Sequence, residues 1–324
     1  MFRLLSLILI TTLFAKISPA EVRREYRELI PKSRVVINYP QEDQYREDRP
    51  LVLILYALPN GNTIEETEGR GGPLLSGEWR YNIQHIAAQV RYLRENDSRF
   101  NYVIAYLEAT QKGWTIHASE YKNSAELYKI LTDTIIKIVS LSLPDKIKSE
   151  KISVALTSHS GGGRFVLNFI RGVDSIPPLI ERISFIDSNY GYETDLHSDK
   201  LLYWLRGDTN RYLGVMAYVD TTVVLNGKRI VSSKGGTGYR SVLMADDLKR
   251  AGVTFVEQRD TSFLKMVSQD GRVAFWIKEN PEGRIYHTIL VERNGLIHQM
   301  LFGAVQEEKG YEFWGERCYV RHIR

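Results

Sequence analysis

The sequence predicts an α/β fold: a mostly parallel sheet with helices on both faces and a β-rich insertion near its C-terminal third. Three observations predict it. Apolar runs at 51–58, 102–107 and 152–157 are short and continuous, which suits strands buried on both faces. Between them lie stretches whose apolar residues recur at helical spacing. No Pro-, Gly- or Ser-rich linker divides the chain and no internal repeat recurs. Residues 21–324 therefore read as a single domain with a β-rich decoration at about 221–290.

Composition narrows the classes further. The 324 residues are 43% apolar and 25% charged, as in folded globular proteins rather than disordered ones. The formal charge of +4, from 43 Lys and Arg against 39 Asp and Glu, is too balanced for a nucleic-acid binder with a basic face. Cys318 is the sole cysteine, so no intramolecular disulfide forms and a thiolate zinc site is excluded. Residues 1–20 have the form of a cleavable secretory signal. Met1-Phe2-Arg3 is positive, 4–15 is apolar, and Ser18-Pro19-Ala20 places small residues before a cut at Glu21. The apolar run falls short of the about 20 residues a spanning helix needs. No later segment is apolar enough to span a membrane, so a secreted or periplasmic protein is expected.

The elements follow in order. Val35 to Pro40 reads as a first strand and Leu51 to Leu58 as a second, ended by Pro59-Asn60-Gly61-Asn62. Ile83, Ile86, Ala87, Val90 and Leu93 predict a helix over 79–95. A strand at 102–107 precedes a helix over 123–142, whose Leu127, Leu131, Ile135 and Val139 share a face. The strand 152–157, a glycine cluster and a helical stretch at 165–170 come next. Strands at 183–186 and 213–219 flank a helix around 201–205. Asn226-Gly227 predicts a small hairpin within 223–231, since this pair supplies the positive φ angles of a tight turn. A helix over 239–251 and strands at 253–256, 273–278 and 285–291 follow. The last helix is expected over 297–305.

The sharpest motif is Ser158-His159-Ser160-Gly161-Gly162-Gly163, between a buried strand and a helix. A strand turning straight into a helix around a serine needs small residues two before and two after it, because the backbones close in there. Ser158 and Gly162 hold those places. The motif resembles the nucleophile elbow of the α/β-hydrolases, with Ser158 in place of the usual glycine. The resemblance follows the order of elements over about 35–305, and its specific motif covers 152–170. It implies Ser160 as nucleophile and the Gly161 N–H as one oxyanion donor. The second donor is expected after an early strand, at Gly61 or Asn62.

A serine nucleophile needs a base, and the base an orienting acid. The family order is serine, acid, histidine. Asp220, after the strand 213–219, is the first choice of acid, and Asp187, after 183–186, the second. His298, before the last helix, is the first choice of base. His287 replaces it if 273–278 is the sheet's last strand.

The remaining features suggest less. His117 and Glu120 lack a third partner for a metal and read as a solvated loop. Gly235-Gly236-Thr237-Gly238 does not lead a buried strand directly into a Lys-bearing helix and reads as a mobile surface loop or a pocket border. The sequence thus points to an exported serine hydrolase. Its expected substrate is a small-molecule or polymer-derived ester, with an amide as the alternative. It needs no cofactor and no metal, and neither nucleic acid nor a membrane is a partner. The rival reading is a catalytically inactive protein of the same fold that binds a glycan or peptide.

Overall fold

In the computed structural model the described residues are 21–147, 152–303 and 310–324. The expected signal segment 1–20 lies outside them, as do 304 and 305 at the end of the expected last helix. The chain opens with an edge pair, β1 (Val22–Arg27) and β2 (Ser33–Tyr39), then β3 (Leu51–Ala57). Helices α1 (Ile64–Glu68) and α2 (Ile86–Asn96) lead to β4 (Asn101–Ala109). Then come α3 (Trp114–Glu120), α4 (Ser124–Ser142), β5 (Ile152–His159), α5 (Gly163–Gly172), β6 (Ile180–Ile186), α6 (Thr194–Gly207) and β7 (Tyr212–Tyr218). A minute hairpin, β8 (Val224–Leu225) and β9 (Lys228–Arg229), precedes α7 (Gly236–Arg250). Strands β10 (Phe255–Arg259), β11 (Phe263–Ser268) and β12 (Val273–Lys278) and helices α8 (Ile289–Glu292) and α9 (Gly295–Leu301) complete it.

The sheet runs β1-β2-β4-β3-β5-β6-β7-β12-β11-β10. The block from β4 through β3, β5, β6 and β7 to β12 is parallel, and antiparallel pairs close both edges. Alternation along each strand feeds two cores. Leu53 and Leu55 pack with α4, α5, α6 and α7 on one face. Ile54 and Tyr56 pack with α2, α8 and α9 on the other. Burial on both faces explains why the central strands read as unbroken apolar runs.

Three expectations are corrected. The helix over 79–95 is interrupted: His85 adopts φ 45°, so α2 starts at Ile86. Residues 285–291 are not a strand but a loop running into α8. The expected β-rich decoration is largely part of the main sheet. Only β8–β9 stand apart: β12 completes the parallel block, paired to β7 from Val273↔Leu213 to Lys278↔Tyr218, and β11 and β10 add to it as antiparallel strands. The tail 310–324 returns over α2. Its Arg324 carbonyl accepts the Gly71 N–H at 2.7 Å, and Asn294 at the start of α9 donates to the Glu312 and Glu316 carbonyls.

The glycines at the start of α5 set how closely the layers approach. A Cβ at Gly162 would collide with the Ala57 carbonyl at the end of β3, and one at Gly163 with the Ser188 carbonyl after β6. Both obstacles are backbone and cannot step aside. Gly163→Ala is expected to destabilise the protein by about 3 kcal/mol, the upper range for overpacking. Urea unfolding checks this, and an unchanged midpoint would contradict the contact.

Candidate active site

Ser160 follows β5 directly and has φ 54°, in the left-handed region that costs a non-glycine residue roughly 1–3 kcal/mol. A single 3-10 turn, Ser160–Gly162, then feeds α5. The bend brings Ser160 to a cavity of about 320 Å³ lined also by Asn60, Thr115, Gly161, Arg164, Ser188, Tyr190 and Gly191. The N-terminus of α5 adds positive potential there. Ser158 fits where the elbow usually has glycine because its hydroxyl pairs with Ser188 Oγ at 2.8 Å in the buried turn.

Asp187 ends β6 as the serine ends β5. Its φ is 45°, its N–H donates to the Met216 carbonyl at 2.7 Å, and it is fully buried. Both carboxylate oxygens are engaged: Oδ2 accepts from His287 Nδ1 and Oδ1 from the Thr237 hydroxyl. His287 arrives on the loop after β12. The Asn280 side chain ties that loop down, donating to Val219 and Arg284 carbonyls and accepting the Arg284 N–H. The His287 ring lies 4.8 Å from that of His159, the residue before Ser160. It lies 6.4 Å from the ring of Tyr190, which lines the cavity with Ser160.

His159 is buried, and that burial, followed by the neighbouring His287, pushes its pKa well below the usual range. A neutral imidazole has one N–H to give. His159 Nε2 is 3.2 Å from the His287 carbonyl and Nδ1 is 3.2 Å from the Gln84 carboxamide. The Nε2–H donates to the His287 carbonyl, and Nδ1 faces Gln84 Oε1, which accepts the Tyr56 hydroxyl at 3.1 Å. The elbow and the histidine loop are pinned together by this residue.

The pairing first expected, Asp220 with His298, is not formed. Asp220 turns toward α7 and accepts the Thr237 N–H at 2.9 Å. His298 lies on α9, bonded to Tyr311 at 2.8 Å and stacked on Phe313 at 4.5 Å. The acid–imidazole pair present is the second-ranked one, Asp187 with His287. The two residues expected as second oxyanion donor, Gly61 and Asn62, lie off the cavity. The Gly61 N–H is spent on the Lys112 carbonyl at 2.8 Å. Asn60 does line the cavity, with its carboxamide over Gly161 at a distance that leaves no room for a Cβ there.

Sequence reasoning missed Thr237, Gln84 and the role of His159. The turn expected to be mobile, 235–238, is tight: Thr237 is fully buried, and a Cβ at Gly236 would strike the Asp220 carboxylate. His117 lies in α3, not in a solvated loop. It is buried, 2.9 Å from the Pro31 carbonyl and 3.1 Å from the Tyr128 hydroxyl. Among the described residues no three His, Cys, Asp or Glu side chains gather to hold a metal ion. No helix of the described residues is long and apolar enough to cross a membrane.

The parallel block, its crossovers and the serine bend between β5 and α5 define an α/β-hydrolase fold. No protein-family model matches the chain, and no curated protein matches it. Solved structures do. A feruloyl esterase module from Clostridium thermocellum, complexed with sinapinate, superposes with TM-score 0.50 at 9% identity, covering 89% of each chain. An uncharacterised protein from Capnocytophaga ochracea gives TM-score 0.50 at 9% identity, over 90% of this chain and 67% of that one. A thermostable esterase gives 0.49 at 14% identity, over 87% of this chain but only 63% of its own length. The likeness is one of fold.

Burial, and then the charge of Asp187, raises the Asp220 carboxyl from 3.8 to about 6. Its native form binds a proton more tightly than its unfolded form, so its contribution favours folding below the unfolded value and is lost as pH rises through about 6. Asp220→Asn removes that loss. The variant is expected to match the wild type near pH 3.5 and to be more stable at pH 8 by about 1–3 kcal/mol. Paired denaturant titrations at the two pH values check this. A difference that does not grow with pH would contradict it.

Proposed function

We propose that the protein is an exported serine hydrolase that cleaves an ester through an acyl-enzyme on Ser160. The observation that carries this reading is the pairing of buried Asp187 with half-buried His287, whose ring packs against the residue before a left-handed serine at the rim of the sheet. Asp187 fixes the imidazole with Nδ1 protonated, so Nε2 is the basic nitrogen. Ser160 Oγ attacks the carbonyl carbon as His287 takes its proton. The C=O π pair moves onto oxygen, which the Gly161 N–H and Asn60 stabilise. Collapse expels the alcohol, protonated by His287, and leaves the acyl group on Ser160. Water, deprotonated by His287, repeats the attack and releases the acid. An amide would follow the same steps, with an amine leaving. Export rests on the signal pattern of 1–20, and mature protein from the extracytoplasmic fraction should begin at Glu21.

A fluorophosphonate probe and a chain-length series of p-nitrophenyl esters test the reading. Ser160→Ala is expected to abolish labelling. Ser160→Ala and His287→Gln are expected to lower kcat by at least about 10³-fold, and Asp187→Asn by roughly 10²- to 10⁴-fold. Asp220→Asn and His298→Gln should stay within about tenfold of the wild type. Well-folded protein that neither labels nor turns over esters would favour a binding protein. Loss in Asp220→Asn equal to that in Asp187→Asn would overturn the choice of acid.

A further inference from the structure

Helix α5 carries a polar stripe on an otherwise buried element. Phe165, Val166, Leu167, Phe169 and Ile170 enter the core, while Arg164, Asn168 and Arg171, spaced i, i+4 and i+7, share the opposite face. That face floors a second cavity of about 420 Å³, walled by Thr115, Ala118, Ser119, Lys122 and Ser124 at the junction of α3 and α4. Thr115 and Arg164 line both this cavity and the one holding Ser160, so the two form one groove. Its charge has one sign. No carboxylate lines either part, and among the described residues no salt bridge engages Lys122, Arg164 or Arg171. By contrast Arg23, Arg34, Arg250, Arg259 and Arg321 each face a carboxylate.

A cation near a helix C-terminus is often explained by the carbonyls it caps. That explanation is already used at α5. Lys200 Nζ takes the Ile170, Arg171 and Val173 carbonyls at 3.2, 2.8 and 2.7 Å. Arg171 is not needed there. From Arg164 to Arg171 the helix rises about 10 Å, the reach of a short substrate arm. Asn168 is held in the floor by its 3.1 Å bond to Ser124 Oγ.

We propose that this groove is a subsite for an anionic oxygen group, a carboxylate or a phosphate, on the arm of the substrate that runs from Ser160 along α5. Arg164 takes the anion nearest the reacting carbonyl, and Lys122 and Arg171 take it farther out. The proposal rests on Ser160 being the nucleophile, and it narrows the substrate from esters in general to esters bearing a negative charge.

Matched esters test it. On the acyl side, mono-(4-nitrophenyl) glutarate is compared with 4-nitrophenyl pentanoate. On the alcohol side, 4-acetoxybenzoate is compared with its methyl ester. At low ionic strength the charged member of at least one pair should have at least about tenfold higher kcat/KM, since charge-assisted hydrogen bonds form with it alone. The preference should shrink with added NaCl. Lys122→Gln combined with Arg171→Gln should lower the charged-to-neutral ratio at least fivefold. Equal or better turnover of both neutral esters, or an unchanged ratio in the double variant, overturns the subsite while leaving Ser160 as nucleophile. If no ester is turned over, the nucleophile assignment fails, and the groove is judged by calorimetry instead. Glutarate and inorganic phosphate are titrated separately into wild type and Arg164→Gln. Binding of either that is lost in the variant supports the anion site and says which oxyanion it takes. Binding of neither overturns it.

Discussion

The structure depends on how closely three stretches of backbone meet beneath Ser160. The end of β3, the turn after β6 and the start of α5 come together where Gly162 and Gly163 leave no space for a Cβ. The serine is held at φ 54° by those surroundings, since an isolated L-residue disfavours that conformation. The strain is offset by two large cores, one on each face of the sheet. A rigid bend of this kind fixes the hydroxyl without the conformational entropy a flexible loop would leave it.

Around the bend, two carboxylates sit in one buried region and are treated differently. Asp187 has both oxygens occupied, one by His287 and one by the Thr237 hydroxyl. Asp220 accepts the N–H of the same threonine, and its carboxyl is driven upward by burial and by Asp187. Thr237 thus separates a carboxylate committed to an imidazole from one that resists ionisation. Like charges at close quarters commonly part in this way. The neutral His159 completes the arrangement, holding the histidine loop through its backbone and so leaving the His287 ring for Asp187.

The central strands, the long helices and the serine bend were legible in the sequence because each is a local pattern: an unbroken apolar run, a 3.6-residue period, a glycine cluster between the two. The acid–imidazole pair was less so. Asp187 and Asp220 both end strands, and the backbone pattern does not say which way each side chain turns. The difference arises from Thr237, 50 residues beyond Asp187. His287 was second choice because Ile285, Ile289, Leu290 and Val291 imitate a strand. Once β12 pairs with β7 as the last of the parallel series, the loop after it is where a histidine reaches the strand ends. Asn60 stood beside the two residues expected to stabilise the oxyanion. The Gly61 N–H is turned instead to the Lys112 carbonyl, far along the chain. Strand β11 and edge strand β1 were missed because alternating charge and short length blur their period.

The register between β7 and β12 has a consequence for how this chain can vary. Tyr218 faces Lys278 across the ladder, and Asn280 grips the Val219 carbonyl, so the excursion that follows β7, residues 219–235, starts from a fixed joint. Its outermost piece, the hairpin turning at Asn226-Gly227, is exposed along both of its strands. Foreign peptide spliced at that tip would be carried as cargo, and homologous chains are free to lengthen or trim the excursion there without retuning the chemistry.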